Sequence, residues 1–127
     1  KKVIYQYAEI VDSRSFDQLD SIMWPDFSMT GGYDLKGIEG FMGAMDYLVA
    51  TYKKTMHLIG NIDGSWDGNV YKGKTYCIAS HIFEENGQMK KLDMGIIYED
   101  TLERRDGAVK FVNRNFNLQW QKTDSID

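Results

Sequence analysis

Two periods of apolar residues divide the chain. From Lys2 to Val11, the residues Val3, Tyr7, Ile10 and Val11 recur at helical spacing, which predicts an amphipathic helix of about three turns. It stops near Asp12-Ser13. Ser15 followed by Gln18 is a capping-box pattern, and Phe16, Leu19, Ile22 and Met23 continue it into a short second helix. Trp24-Pro25-Asp26 ends that helix, because proline excludes the preceding residue from helical geometry. Phe27–Thr30 reads as a short strand running into a turn at Gly31-Gly32. The strongest stripe, Ile38, Phe41, Met42, Met45, Leu48, Val49 and Tyr52, predicts a third helix of about 15 residues. Gly37, Gly40 and Gly43 each lower its intrinsic propensity by roughly 1 kcal/mol relative to alanine, so tertiary packing has to hold it.

From Thr55 onward the period changes from helical to alternating. Thr55–Trp66, Asn69–Glu85, Gln88–Arg104 and Ala108–Gln121 read as long strands, separated by the turn signals Asp67-Gly68-Asn69, Glu85-Asn86-Gly87 and Asp106-Gly107. Long strands joined by tight turns make an antiparallel meander. The expected fold class is α+β: a curved, mostly antiparallel sheet wrapped around the long helix, with two shorter helices at the N-terminus. Such a sheet encloses a conical cavity, the usual place for a small-molecule site. One domain over residues 1–122 and a frayed polar tail over 123–127 complete the organisation.

Composition narrows the function classes. The 127 residues hold 15 Lys and Arg against 19 Asp and Glu, a formal charge of −4, and the basic residues are scattered, so phosphate-backbone binding to nucleic acid lacks its electrostatic basis. No run of about 18 apolar residues marks a membrane span, and no signal peptide is visible. The single Cys77 fits a reducing compartment, which makes a cytoplasmic location the expectation. Aromatic residues are 13% of the chain and histidines only two, which supplies many candidate pocket walls and few candidate acid–base groups.

Strand alternation puts His57, Ile59 and Asn61 on one face and Met56, Leu58 and Ile62 on the other; His57 either points into a pocket or lies exposed at a strand start. Asp12 closes the first helix, where a carboxylate meets the unfavourable end of the helix dipole; it is a solvated helix end or has a specific partner. His81 shares a face with Cys77, Ala79 and Phe83, as a pocket residue or a core histidine bonded to backbone. Two histidines and one cysteine without ligand spacing do not make a zinc site, so neither metal nor cofactor is expected. On the last strand Arg114, Phe116, Leu118 and Trp120 share one face and Asn113, Asn115, Asn117 and Gln119 the other; the asparagines form an outer polar face or line a cavity.

The segments Ile10–Leu19, Lys36–Phe41, Thr55–Asn61, Gly95–Asp100, Arg104–Gly107 and Lys110–Arg114 together resemble the SnoaL-like branch of the nuclear-transport-factor-2-like superfamily. The resemblance spans nearly the whole chain and implies a cone-shaped α+β barrel. It also implies that Asp12 and His57 form one dyad, similar to the aspartate–histidine pair of scytalone dehydratase and hexachlorocyclohexane dehydrochlorinase. A second histidine assists in the dehydratase, and His81 falls near that position. The dehydratase's paired pocket tyrosines are not reproduced: Val11 and the Gly31-Gly32 region stand where they are expected, leaving Tyr5, Tyr33 or Tyr98 to substitute. Ketosteroid isomerase places a carboxylate base where this chain has Thr30-Gly31, which disfavours that branch.

The resulting expectation is a cofactor-independent dehydratase-type lyase acting on a small cyclic or aromatic substrate. His57 is the base, Asp12 orients it, and His81 and Tyr98 are auxiliary acid or hydrogen-bond groups. Trp24, Met45, Met94, Phe116 and Trp120 are the expected apolar walls. The rival is a non-catalytic ligand-binding or assembly subunit of the same fold, or an isomerase or cyclase; Asp12 and His57 side chains farther apart than about 6 Å favour the non-catalytic subunit. A homodimer or homotrimer is expected.

Overall fold

Two-residue turns shape the second half of the molecule. In the computed structural model, which describes residues 1–126, the strands β3 (Lys54–Asp67), β4 (Val70–Glu85), β5 (Gln88–Arg105) and β6 (Ala108–Ser125) are joined at Gly68-Asn69, Asn86-Gly87 and Asp106-Gly107. Asn86 and Gly87 have φ of 54° and 75°, Asp106 and Gly107 51° and 81°, the left-handed geometry that matches the twist of paired strands. Ahead of them come α1 (Lys2–Ser13), a 3-10 helix (Phe16–Ser21), β1 (Met23–Thr30), the short β2 (Leu35–Lys36) and α2 (Gly37–Thr51).

The six strands form one sheet in the order β2-β1-β6-β5-β4-β3. Every neighbouring pair is antiparallel except β1 and β6, which run parallel with Ser28 opposite Asn113. The sheet does not close: β2 and β3 remain its edges. α2 packs chiefly against β1, and α1 against β3. The α+β class, the meander and the long helix thus agree with the sequence expectation. No helix is long and apolar enough to cross a membrane among the described residues.

The differences have local causes. The expected second helix is a six-residue 3-10 turn, and the Ser15 hydroxyl is engaged with Ser13 at 2.8 Å instead of capping it. Trp24-Pro25-Asp26 does not precede the first strand but lies inside it, where the register with β6 shifts between Met23 and Ser28; proline has no N–H to give the ladder there. The tail expected to fray at Thr123 is strand as far as Ser125, paired with Lys90–Leu92 of β5; Asp127 lies outside the described residues.

The core lies between the helices and the inner face of the sheet. Ile4, Tyr7 and Val11 of α1, Phe27 and Met29 of β1, and Phe41 and Met45 of α2 meet Ile96, Tyr98 and Phe111. Tyr7, Phe27, Phe41 and Phe111 contact one another edge to face at 5.7 to 6.4 Å, a geometry worth roughly 0.5–1.5 kcal/mol per pair beyond burial.

Gly31 holds the turn after β1 against this core. Its φ is +81°, and a side-chain carbon there collides with the backbone of Phe116. Gly31→Ala is expected to destabilise the protein by about 2 kcal/mol or more, read as a fall of several degrees in Tm. An unchanged melting curve contradicts this packing.

Candidate active site

Asp12 is placed by the last turn of α1 against the inner face of β3. Its carboxylate accepts three hydrogen bonds: from the His57 backbone N–H (2.7 Å, Oδ2), from His57 Nδ1 (2.7 Å, Oδ1) and from Thr55 Oγ1 (2.9 Å, Oδ1). A carboxylate near a helix C-terminus faces carbonyl dipoles of its own sign, and these donors offset that repulsion. Burial alone raises the Asp12 pKa, but the bonds and positive charge of His57, with the Thr55 hydroxyl, outweigh it and hold the group below its ordinary range. Asp12 is therefore ionised and can only accept, so His57 donates to it from Nδ1 and, in the neutral form, has its lone pair at Nε2. Nε2 has no protein partner among the described residues, and the residue lines a cavity between the helices and the inner face of the sheet.

Alternation sets this arrangement. Thr55, His57 and Ile59 point inward along β3, and a bulge at Gly60-Asn61 then brings Ile62 to the inner side as well. Ile62 therefore leaves the face expected for it beside Met56 and Leu58.

Arg14, two residues beyond Asp12, was not singled out in the sequence. It adopts φ +59° at the end of α1 and its Nη2 donates to the Tyr52 carbonyl at 2.6 Å, tying the C-terminal ends of α1 and α2 together. The Tyr52 ring stands 4.8 Å from the His81 ring, so one guanidinium links the turn behind the dyad to the wall beside the second histidine.

The cavity has a volume of about 310 Å³ and an aromatic, mostly apolar wall. His57, His81, Tyr98, Tyr33, Met45, Met94 and Phe116 all line it. Tyr7, Tyr47 and Tyr52 line it too; helical spacing marked Tyr7 and Tyr52 as positions on apolar stripes but gave no reason to select any of the three as pocket residues. Three expected wall residues lie elsewhere. Tyr5 is on the exposed side of α1, one position off the buried stripe of Ile4 and Tyr7. Trp24 gives its Nε1–H to the Glu103 carbonyl at 2.8 Å, and the cations of Arg105 and Lys110 lie over its ring. Trp120 is turned to the outer face, because the register of β6 shifts between Leu118 and Trp120. The asparagine row is also outside: Asn113 donates to Ser28, and Thr30 donates to Asn115, fastening β6 to β1.

His81 is buried, with its ring 6.2 Å from that of His57. Desolvation lowers its pKa, the Leu92 carbonyl opposes that shift, and the neighbouring His57 reinforces it. It is accordingly neutral. Its Nδ1–H is given to Leu92 O at 3.1 Å, which leaves Nε2 as an acceptor able to hold a hydroxyl. Tyr98 is fully buried, and burial pushes its phenol pKa well up, so it can donate a hydrogen bond but does not ionise.

Behind Tyr98 lies a charge that never reaches water. The Arg114 guanidinium is 3.7 Å from the Tyr98 ring and 4.4 Å from the Tyr7 ring. It pairs with buried Asp100 through Nε at 2.8 Å and Nη2 at 3.3 Å, and Thr75 donates to the same carboxylate at 2.7 Å. The two tyrosines separate this pair from the cavity that they line.

An open α+β cone with a carboxylate-bound imidazole in its apolar cavity has the architecture of the SnoaL-like class. The SnoaL-like domain model matches residues 1–115, and the chain belongs to that family. Hexachlorocyclohexane dehydrochlorinase LinA type 2 has the same fold, with a TM-score of 0.85 at 22% identity, over 98% of this chain and 84% of that one. A scytalone-dehydratase-like protein of Novosphingobium aromaticivorans gives a TM-score of 0.86 at 15% identity, over 99% and 85% of the two chains. In sequence, an uncharacterized protein of Mycobacterium tuberculosis is 22% identical over 96% of this chain and 84% of its own length.

Two outcomes test this electrostatic arrangement. The folded pKa of Asp12 lies below its ordinary value of 3.8, so its stabilisation is present above that value and is lost as pH falls through the lowered folded value. Urea unfolding from neutral to acid pH is expected to show a shallower loss of stability in Asp12→Asn than in the wild type; equal slopes contradict the assignment. Asp100→Asn leaves the Arg114 charge buried and uncompensated, with an expected cost of about 3–5 kcal/mol in denaturant unfolding.

Proposed function

We propose that the protein is a dehydratase-type lyase that works by proton abstraction without metal or cofactor. The observation that carries the reading is the 2.7 Å bond from His57 Nδ1 to Asp12, which leaves Nε2 available in a largely apolar cavity. That separation is far inside the 6 Å limit at which the non-catalytic reading gains, so the geometry favours an acid–base pair. The family membership and the fold shared with a dehydrochlorinase and a dehydratase-like protein support the same reaction class.

In this reading the substrate is a small neutral cyclic or aromatic alcohol with an activated C–H bond next to the carbon that bears the hydroxyl. His57 Nε2 takes that proton while Asp12 stabilises the imidazolium formed. The C–H electron pair becomes the new carbon–carbon π bond, the C–O bond breaks with its pair on oxygen, and the hydroxide leaves as water after taking the proton from His57. His81 Nε2 accepts from the substrate hydroxyl and Tyr98 donates to a polar group of the ring, while Tyr33, Met45, Met94 and Phe116 form the walls. A cytoplasmic setting belongs to the same proposal.

The test is to incubate the protein with cyclic β-hydroxy carbonyl compounds and follow loss of one water by mass spectrometry and by the new ultraviolet absorbance of the conjugated product. For any compound turned over, His57→Ala and Asp12→Asn are expected to lower the rate about 10²–10⁴-fold, the usual contribution of a general base. Full turnover in both variants would falsify the dyad mechanism.

A further inference from the structure

Three tyrosines from two parts of the chain border the mouth of the cavity. Tyr33 stands in the loop after β1, Tyr47 in the last turns of α2, and Tyr52 just beyond the end of that helix. Tyr33 is 42% exposed and Tyr47 65%, and Tyr52 is partly buried, whereas Tyr7 and Tyr98 of the same cavity are buried; the three therefore mark its solvent end. Two of the rings have fixed neighbours. Tyr33 meets Phe116 edge to face at 5.2 Å, after a turn in which Gly31 and Gly32 have φ of 81° and 94°. The Tyr52 ring lies 4.8 Å from that of His81 and 6.2 Å from that of Phe83.

Among the described residues, no hydrogen bond within the chain engages any of the three hydroxyls. Burial raises the phenol pKa of Tyr33 and of Tyr52. Tyr47 adds to both shifts and Tyr33 to that of Tyr52, so the three oxygens lie within one another's field. A protonated phenol can give one hydrogen bond and accept another. The same cavity has no Asp, Glu, Lys or Arg in its lining among the described residues, so a charged group entering it loses hydration and finds no counter-ion.

We propose that Tyr33, Tyr47 and Tyr52 form a second polar subsite at the mouth, which selects a neutral ring carrying a further hydroxyl or carbonyl oxygen besides the one at its reacting carbon. Phenylalanine at these positions supplies the same wall. What tyrosine adds, at three places converging on one rim, is an oxygen able to bind another oxygen. A pocket of apolar walls with a few placed polar groups fixes the orientation of its guest, and these three are placed on the loop and helix side of the opening. They are specificity residues and take no part in moving the proton. The inference rests on the reading of the cavity as a substrate site, and not on the chemistry of the dyad.

Calorimetric titration of the whole chain with three ligands of one shape tests it. They are para-ethylphenol; tyrosol, the same ring with a hydroxyl on the end of its ethyl group; and para-hydroxyphenylacetate, which ends in a carboxylate. The wild type is expected to bind tyrosol at least about fivefold more tightly than para-ethylphenol, the net worth of one hydrogen bond, and to bind the anion most weakly. A rim without the subsite reverses the neutral pair, because a buried hydroxyl without a partner is unfavourable. Tyr33→Phe, Tyr47→Phe and Tyr52→Phe combined are expected to abolish the preference for tyrosol while affinity for para-ethylphenol stays within about twofold, which reports an intact pocket. Tyr76→Phe, at an exposed phenol on the outer face of β4, is expected to keep the preference. Equal or reversed affinities in the wild type overturn the proposal, as do a preference that survives the triple change and an anion bound more tightly than tyrosol. If the triple variant no longer binds para-ethylphenol, Tyr47→Phe alone decides, with an expected fall in preference of at least about twofold. Binding of neither neutral ligand at about 5 mM overturns the substrate-site reading along with this one. No turnover enters the readout, so the dyad mechanism can fail its own test without altering this result.

Discussion

A guanidinium without access to water sits near the middle of the sheet, and much of the interior is arranged around it. Arg114 is fully buried, and a lone cation there would cost several kcal/mol in lost hydration. Asp100 answers the charge, Thr75 completes the carboxylate, and the faces of Tyr7, Tyr98 and Phe111 cover the flat cation. One nitrogen, Nη1, remains without a partner. The arrangement fixes the planes of two tyrosines that also form cavity wall, so the pocket's shape follows from a charge that its contents never touch.

The dyad uses electrostatics in the opposite way, with charge brought to the edge of the cavity. Asp12 binds both the backbone and the ring of His57, so the carboxylate fixes the strand and the imidazole together. Rotation of the ring alone breaks one bond, while slippage of β3 breaks both. His81 needs no carboxylate, since a single backbone carbonyl sets its tautomer and desolvation keeps it neutral. Both histidines line the same cavity, but only His57 is held there by a carboxylate.

Much of this was legible in the sequence, and the gaps have physical causes. Helical and alternating periods located α1, α2 and the four long strands, because those periods report burial on one face and these elements each have one buried face. They could not reveal where a strand changes face. The bulge at Gly60-Asn61 and the register shift before Trp120 each add one residue, which moved Ile62 inward and Trp120 outward against simple alternation. The pairing of Asp12 with His57 was carried by family resemblance, since residues 45 positions apart in the sequence have no spacing rule that joins them. Arg14 and Tyr47 had no periodic signal, and the stripe that contains Tyr52 marked it only as a helix position, because their roles depend on how the ends of α1 and α2 meet, a relation that no local window contains.

The parallel pairing of β1 with β6 carries a consequence for how the molecule comes into being. Ser28 and Asn113 are neighbours in the sheet but 85 residues apart along the chain, and every other long-strand pairing is a local hairpin. During synthesis the β3–β4 and β4–β5 hairpins can form as they emerge, but β1 has only the two-residue β2 beside it until the last strand arrives. Closure of the fold is thus a late event that joins the first third of the chain to its final strand. Before it, Phe27 and Met29 have no Phe111 to pack against, and the apolar interior is open to chaperones or to other nascent chains. The strand that completes the sheet is also the one that delivers Arg114, so the burial of that charge and the closing of the cone are a single step.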